Sequence, residues 1–182
     1  DIFMELYSKF IINGVYSHQE TGDYFTYKRD QKIANWFKEK NIKWHQFLQF
    51  GVFRGTINRN NWSMLCKNQL DKKLFEKPLR INSLKIDIGK IPDDEIFNFE
   101  KDLCEGRLRG GRKNGLKRLN YFFEKKISSY KNDISNPEKS FKSCSRLSPY
   151  ISWGCISLRE ILNIANKNKS WDTKMFRNRL SW

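Results

Sequence analysis

Long apolar runs are missing from this sequence, and none approaches the roughly 18–20 residues that a membrane-spanning helix needs. Cysteine pairs are missing too. Cys66, Cys104, Cys144 and Cys155 are widely spaced, form no CxxC, and have only His18 and His45 to join them. Neither a structural zinc site nor a disulfide framework is expected, and reduced thiols in a cytoplasmic protein are the simplest reading. No internal repeat or low-complexity tract is visible. An initiator methionine is absent: Asp1 opens the chain, and Arg179-Leu180-Ser181-Trp182 ends it in mid-pattern without a helix stop signal, so both ends are expected to be cuts. Acidic residues are scarce, twenty Asp and Glu against thirty-five Lys and Arg, for a net charge of +15.

What is present is enough to fold. A chain of 182 residues that is 38% hydrophobic and 15% aromatic can bury a core, which excludes wholesale disorder, and its length suits one domain or one and a half. The positive charge is concentrated. Between Lys101 and Arg146 thirteen Lys and Arg face five Asp and Glu. Such a surplus is the electrostatic footprint of a polyanion, most often nucleic acid, because Lys and Arg displace condensed counterions from phosphates. The same run also suits a merely solvated face.

The pattern along the chain predicts an α/β part followed by an all-α part. Residues Phe3 to Phe10 end a helix, Ile11 to Tyr16 read as a strand, and Ser17 to Asp23 as a loop at its carboxyl end. Tyr24 to Lys40 turns helical and Ile42 to Phe53 extended again, the beat of an α/β sheet with a crossover helix. From Thr56 to about Glu105 the apolar residues lose their period, which predicts a long connection with a few short helices. After Gly110-Gly111, Leu116, Leu119, Phe122, Phe123, Ile127 and Tyr130 share one helical face. Asn132 to Lys142 reads as a polar loop, Ser148-Pro149 as a helix start ended by Gly154, and Ser157 to Glu160 as a capping box. A last helix begins near Trp171 and continues to Trp182. The expected units are 1–56, 57–105 as connection, and 106–182.

The most informative segment is Cys144-Ser145-Arg146-Leu147-Ser148-Pro149. Two hydroxyls and a guanidinium stand before a helix whose first N–H groups lack partners, an arrangement suited to a pyrophosphate-sized anion. Read alone, it is first of all an ordinary N-cap at Ser148 beside an Arg146 held in a structural salt bridge.

The run Ser145 to Tyr150, followed by Trp153-Gly154 and Ile156 to Glu160, closely resembles the flavin-binding signature of the photolyase/cryptochrome family. Glu20-Thr21-Gly22, Thr26-Tyr27 and Arg29-Asp30 resemble the end of that family's nucleotide-fold antenna domain. Gly110-Gly111 with Leu116, Leu119 and Phe122 resembles the entry to its helical flavin domain, and Arg179 to Trp182 its next flavin-contacting helix. The resemblance implies the C-terminal part of a Rossmann-like antenna domain in 1–56, a linker in 57–105, and the N-terminal part of the helical FAD-binding domain in 106–182. It implies FAD as cofactor, held by Tyr130, by Cys144, Ser145, Arg146, Leu147 and Ser148 through backbone N–H and hydroxyl groups, and by Trp182. The family commonly has threonine where Cys144 stands, and a thiol is the weaker donor. Glu20 is a candidate contact for a folate or other antenna chromophore. The implied activity is blue-light repair of cyclobutane pyrimidine dimers, with damaged DNA as partner and a monomer as assembly. The catalytic groups are expected outside these residues. The rival implication is a cryptochrome-type photoreceptor that repairs nothing; a free-standing basic nucleic-acid-binding module is a third.

Overall fold

A computed structural model describes residues 2–55, 60–87, 89–98 and 104–181. The first part runs α1 (Ile2–Lys9), β1 (Gly14–His18), α2 (Tyr24–Glu39) and β2 (Lys43–Phe47). The two strands pair in parallel, from Gly14 opposite Lys43 to His18 opposite Phe47. Parallel neighbours need a crossover, and α2 provides it. Asp23 starts that helix by accepting a hydrogen bond from the Thr26 amide at 2.9 Å. Phe37 of α2 is 2% exposed and meets Phe3 and Trp44 edge-on, with ring centroids 5.0 and 5.4 Å away. The expected strand over 11–16 lies two to three residues further on. Ser17 and His18 belong to the ladder, and Ser17 Oγ accepts from the Trp44 indole at 3.0 Å.

Among the described residues of the connection, α3 (Trp62–Leu70) and a 3₁₀ turn (Asp94–Phe97) are the regular pieces. The helix is a bridge. On one side Trp62 Nε1 donates to the Gly51 carbonyl and Gln69 Nε2 to the Leu48 carbonyl, each at 2.9 Å. Gly51 is required there: a Cβ would stand 2.3 Å from Cys66 Sγ. On the other side Cys66 and Leu70 bury themselves with Leu158.

The helical part comprises α4 (Arg112–Lys125), a 3₁₀ turn (Ile127–Ser129), α5 (Tyr130–Asp133), α6 (Pro137–Ser143), α7 (Ser148–Ser152), α8 (Leu158–Asn166) and α9 (Trp171–Leu180). Its core joins Leu119, Phe122, Ile127, Tyr130, Leu147, Tyr150, Ile156, Ile161, Ala165 and Phe176. The expected apolar face is therefore buried, but not as one helix. The α-helix stops at Lys125, and the 3₁₀ turn swings Ile127 and Tyr130 back to the same core. Gly115 lets α4 lie close to its neighbours, since a Cβ would come within 2.7 Å of Ile156 Cδ1. The capping box at Ser157 and Glu160 forms as expected.

Three expectations are corrected. The predicted loop over 132–142 contains α6, capped by Asn136 Oδ1, which accepts from the amides of Glu138 and Lys139; Pro137 sits in the first turn, where it costs no hydrogen bond. Ser148 is the first helical residue of α7 and not its cap; Leu147 holds that place, without a side-chain cap bond. The last helix closes at Leu180, where the Ser181 amide turns back onto the carbonyls of Asn178 and Arg179.

Candidate functional site

The segment between α6 and α7 builds the site. Arg146 has φ +55°, the left-handed region that a non-glycine residue rarely occupies. Leu147 follows at φ −89°, ψ −13°, right-handed helical. A left-handed residue followed by a right-handed one turns successive N–H groups to one side, forming a concavity that binds anions. Among the described residues the amides of Ser145, Arg146, Leu147 and Ser148 meet no hydrogen-bond acceptor. α7 has five residues, too few for a strong macrodipole, so the free amides rather than the helix carry the anion affinity.

The turn is held from both sides. The Leu147 side chain is 1% exposed in the helical core. Arg118 Nε donates to the Ser145 carbonyl at 2.9 Å, and Tyr150 Oη donates to the Arg109 carbonyl at 2.8 Å. Beside the turn lies a cavity of about 340 Å³ lined by Ser148, Ile151, Ser152 and Leu158, by Arg179, Leu180 and Ser181 at the end of α9, and by Phe50, Gly51, Val52, Trp62 and Cys66. Its size is at the low end for small-molecule pockets, and its lining is apolar with a few polar groups at the rim.

The predicted residues divide. Ser148 reaches the cavity. Leu147 contributes an amide and an anchor. Cys144 is withdrawn as a donor: its N–H goes to the Ser140 carbonyl at 2.7 Å, closing α6, and its thiol donates to the Phe141 carbonyl at 3.6 Å. Arg146 keeps its amide in the turn, but its guanidinium leaves. It donates to the Gly106 carbonyl at 3.0 Å and lies over the Phe141 ring at 4.8 Å. Tyr130 packs edge-on against Phe122 and Phe176 at 5.5 Å each and is 4% exposed. Burial raises its hydroxyl pKa, and the Arg179 charge pulls it partly back. Trp182 lies outside the described residues. Of the residues that line the cavity, sequence reasoning placed only Ser148 in the site; for Arg179, Leu180 and Ser181 the family-like run Arg179 to Trp182 was the signal available, and Phe50, Gly51, Val52, Trp62 and Cys66 gave none.

Glu20 caps its own loop, with Oε1 accepting from the Thr21 and Gly22 amides at 2.9 and 2.8 Å. It also borders two cavities, of about 330 and 480 Å³, around the carboxyl end of β1.

The donor set fits a dinucleotide diphosphate: consecutive free amides in a concave turn, with Ser148 and Arg179 among the residues that line the adjacent cavity and a mostly apolar lining beside them. No group of three or more His, Cys, Asp or Glu side chains able to hold a metal occurs among the described residues, and none of their helices is long and apolar enough to cross a membrane.

No family model matches the sequence. Over 100 residues, 52% of the chain, it is 38% identical to the deoxyribodipyrimidine photo-lyase of Alkalihalophilus pseudofirmus. The match spans about a fifth of that relative's length, 20%. The fold superimposes along the whole chain, with a TM-score of 0.75 and 14% identity, on a bacterial class III photolyase from Agrobacterium tumefaciens, of which it covers 41%.

Proposed function

We propose that this chain is part of a photolyase-family protein and supplies one wall of an FAD cradle in a blue-light-driven enzyme that splits cyclobutane pyrimidine dimers in DNA. The observation that carries the proposal is the concave run of unpaired amides from Arg146 to Ser148 beside a cavity edged by Arg179 and Ser181. Bound FAD supplies the light-driven electron transfer; the protein supplies binding, orientation and electrostatics.

The roles of this chain's residues follow from their places. The amides of Arg146, Leu147 and Ser148 hold the diphosphate, with a contribution from that of Ser145. Ser148 and Arg179 line the same space and bring a hydroxyl-bearing and a charged side chain to it. Leu147 and Tyr150, buried to 1% and 3% exposure, fix the turn in place, so no ordering cost falls on binding. Phe50, Trp62, Ile151 and Leu180 form the dry side of the cavity, which keeps water from competing for the amides. The basic surplus of residues 101–146 supports a DNA partner, and with it repair rather than light signalling on the same fold.

Two substitutions separate backbone from side chain. Arg146→Gly keeps the amides and relieves the positive φ, so flavin occupancy is expected to survive. Arg146→Pro forces φ near −65° and removes an N–H, so occupancy is expected to fall at least tenfold. Equal loss in both variants contradicts the backbone role. For activity, dimer-containing DNA is incubated with flavin-loaded protein. Repair under blue light and none in darkness is expected; flavin-loaded protein that leaves dimers intact in the light assigns the chain to the photoreceptor reading.

A further inference from the structure

A further cavity, of about 410 Å³, lies between the end of α3 and one face of α8, and it shares no lining residue with the cavity beside the amide turn. From α8 it is lined by Arg159, Leu162, Asn163 and Asn166, at the spacing that puts side chains on one helix face. The chain leaving α3 adds Asp71, Lys72 and Lys73, between Leu70 and Leu74. Both walls are fixed. Leu70 is buried with Leu158, and Leu162 packs on that cluster. Lys72 Nζ donates to Gln69 Oε1 at 2.8 Å, and the same Gln69 side chain holds the Leu48 carbonyl.

The charges here are not spent within the protein. Among the described residues Arg159, Lys73 and Asp71 make no ion pair. Glu160, next to Arg159, is taken by Arg112. Arg159 is half-buried and stands in the first turn of α8, where the positive end of the helix disfavours a cation. A guanidinium placed against that end and left without a carboxylate serves stability poorly and an anion well. One carboxylate among three cations narrows the ligand. A bare anion gains from Arg159 and the lysines but is repelled by Asp71. A ligand with one phosphate and several hydroxyl groups satisfies both, its phosphate on the cations and its hydroxyls donating to Asp71 and to the side-chain carbonyls of Asn163 and Asn166. The volume is within the range of small-molecule pockets.

We propose that the cleft between α3 and α8 binds a hydroxyl-rich organic phosphate monoester of sugar-phosphate size. This site goes beyond the flavin cradle and does not depend on it.

The test titrates ribose 5-phosphate, inorganic phosphate and ribose separately into the ¹⁵N-labelled chain and follows the side-chain amides of Asn163 and Asn166. Ribose 5-phosphate is expected to shift both with saturation and to bind about tenfold more tightly than inorganic phosphate; ribose is expected to leave them unmoved. Arg159→Gln is expected to weaken ribose 5-phosphate about tenfold, and Arg159→Lys to recover part of the loss. Asp71→Asn is expected to act oppositely on the two anions: inorganic phosphate binds more tightly, and the preference for the sugar phosphate shrinks. In Arg159→Gln the response of the Arg146, Leu147 and Ser148 amides to ADP is expected to be unchanged, so failure here and failure of the flavin reading are told apart. Ribose 5-phosphate shifts confined to residues 145–148, or an unchanged affinity in Arg159→Gln, overturn the proposal.

Discussion

Single residues in this chain act through space that is absent as much as through contacts made. At Gly51 the backbone is pressed on Cys66 Sγ, and a methyl group has 2.3 Å in which to fit. Gly51→Ala is therefore expected to cost about 1–3 kcal/mol of stability by overpacking, measured by urea denaturation. Cys66→Ala in the same background is expected to recover part of that loss, because the sulfur is the nearest obstacle; purely additive effects would show the two positions do not press on each other. A second residue-scale device is the Arg112–Glu160 pair, with contacts of 3.0 and 2.6 Å. The Arg112 hydrogen bonds, more than any other cause, hold the Glu160 carboxyl below its ordinary pKa of 4.5. A depressed folded-state value means the stabilisation is complete above about pH 4.5 and is lost as the pH falls through the lower folded value. The stability gap between the wild type and Glu160→Gln is expected to be constant near neutrality and to close in acid. A gap independent of pH in that range would show that the charge is not what the pair contributes.

Elements add what single residues cannot. α6 is short, and its ends decide its existence: Asn136 caps the start and the Cys144 amide closes the finish on Ser140. Asn136→Ala is expected to cost about 1 kcal/mol, and by fraying α6 to loosen the turn that follows it. Amide hydrogen exchange at Ser140 and Cys144 would register this as faster exchange; unchanged protection would show that α6 is held by its packing alone. The same element shows where sequence reasoning stops. Asn-Pro is a good helix start as well as a good turn, and only the Asn136 side chain bonding two amides distinguishes the two. The helix over α2 and the capping box at Ser157 were legible because apolar spacing and a capping pair point to one answer. The break after Lys125 was not, since Ile127 and Tyr130 fall on the same face whether the chain continues as α-helix or tightens into a 3₁₀ turn. The positive φ of Arg146 was invisible for a different reason: nothing in an arginine announces the left-handed region, which is imposed by Leu147 being drawn into the core while Arg118 holds the Ser145 carbonyl.

At the scale of the molecule, a two-stranded parallel sheet with its crossover helix meets a helical part through α3, which hydrogen-bonds the segment after β2 on one side and packs on α8 with the other. The cavity beside the amide turn is lined from all of these: Phe50, Gly51 and Val52 after β2, Trp62 and Cys66 on α3, Ile151 on α7 and Leu158 at the start of α8. The candidate site was legible in the sequence as a run of six residues, but its far wall was not, because Trp62 and Arg179 are separated by more than a hundred positions and meet only through packing. The whole account rests on the Arg146-Leu147-Ser148 amides being open to an anion. The direct measurement is an ADP titration of the ¹⁵N-labelled chain, followed by amide chemical shifts. The amides of Arg146, Leu147 and Ser148 are expected to shift furthest and to saturate together, with Arg179 following. Saturable binding that leaves these three amides unmoved, or no binding at all, would contradict it.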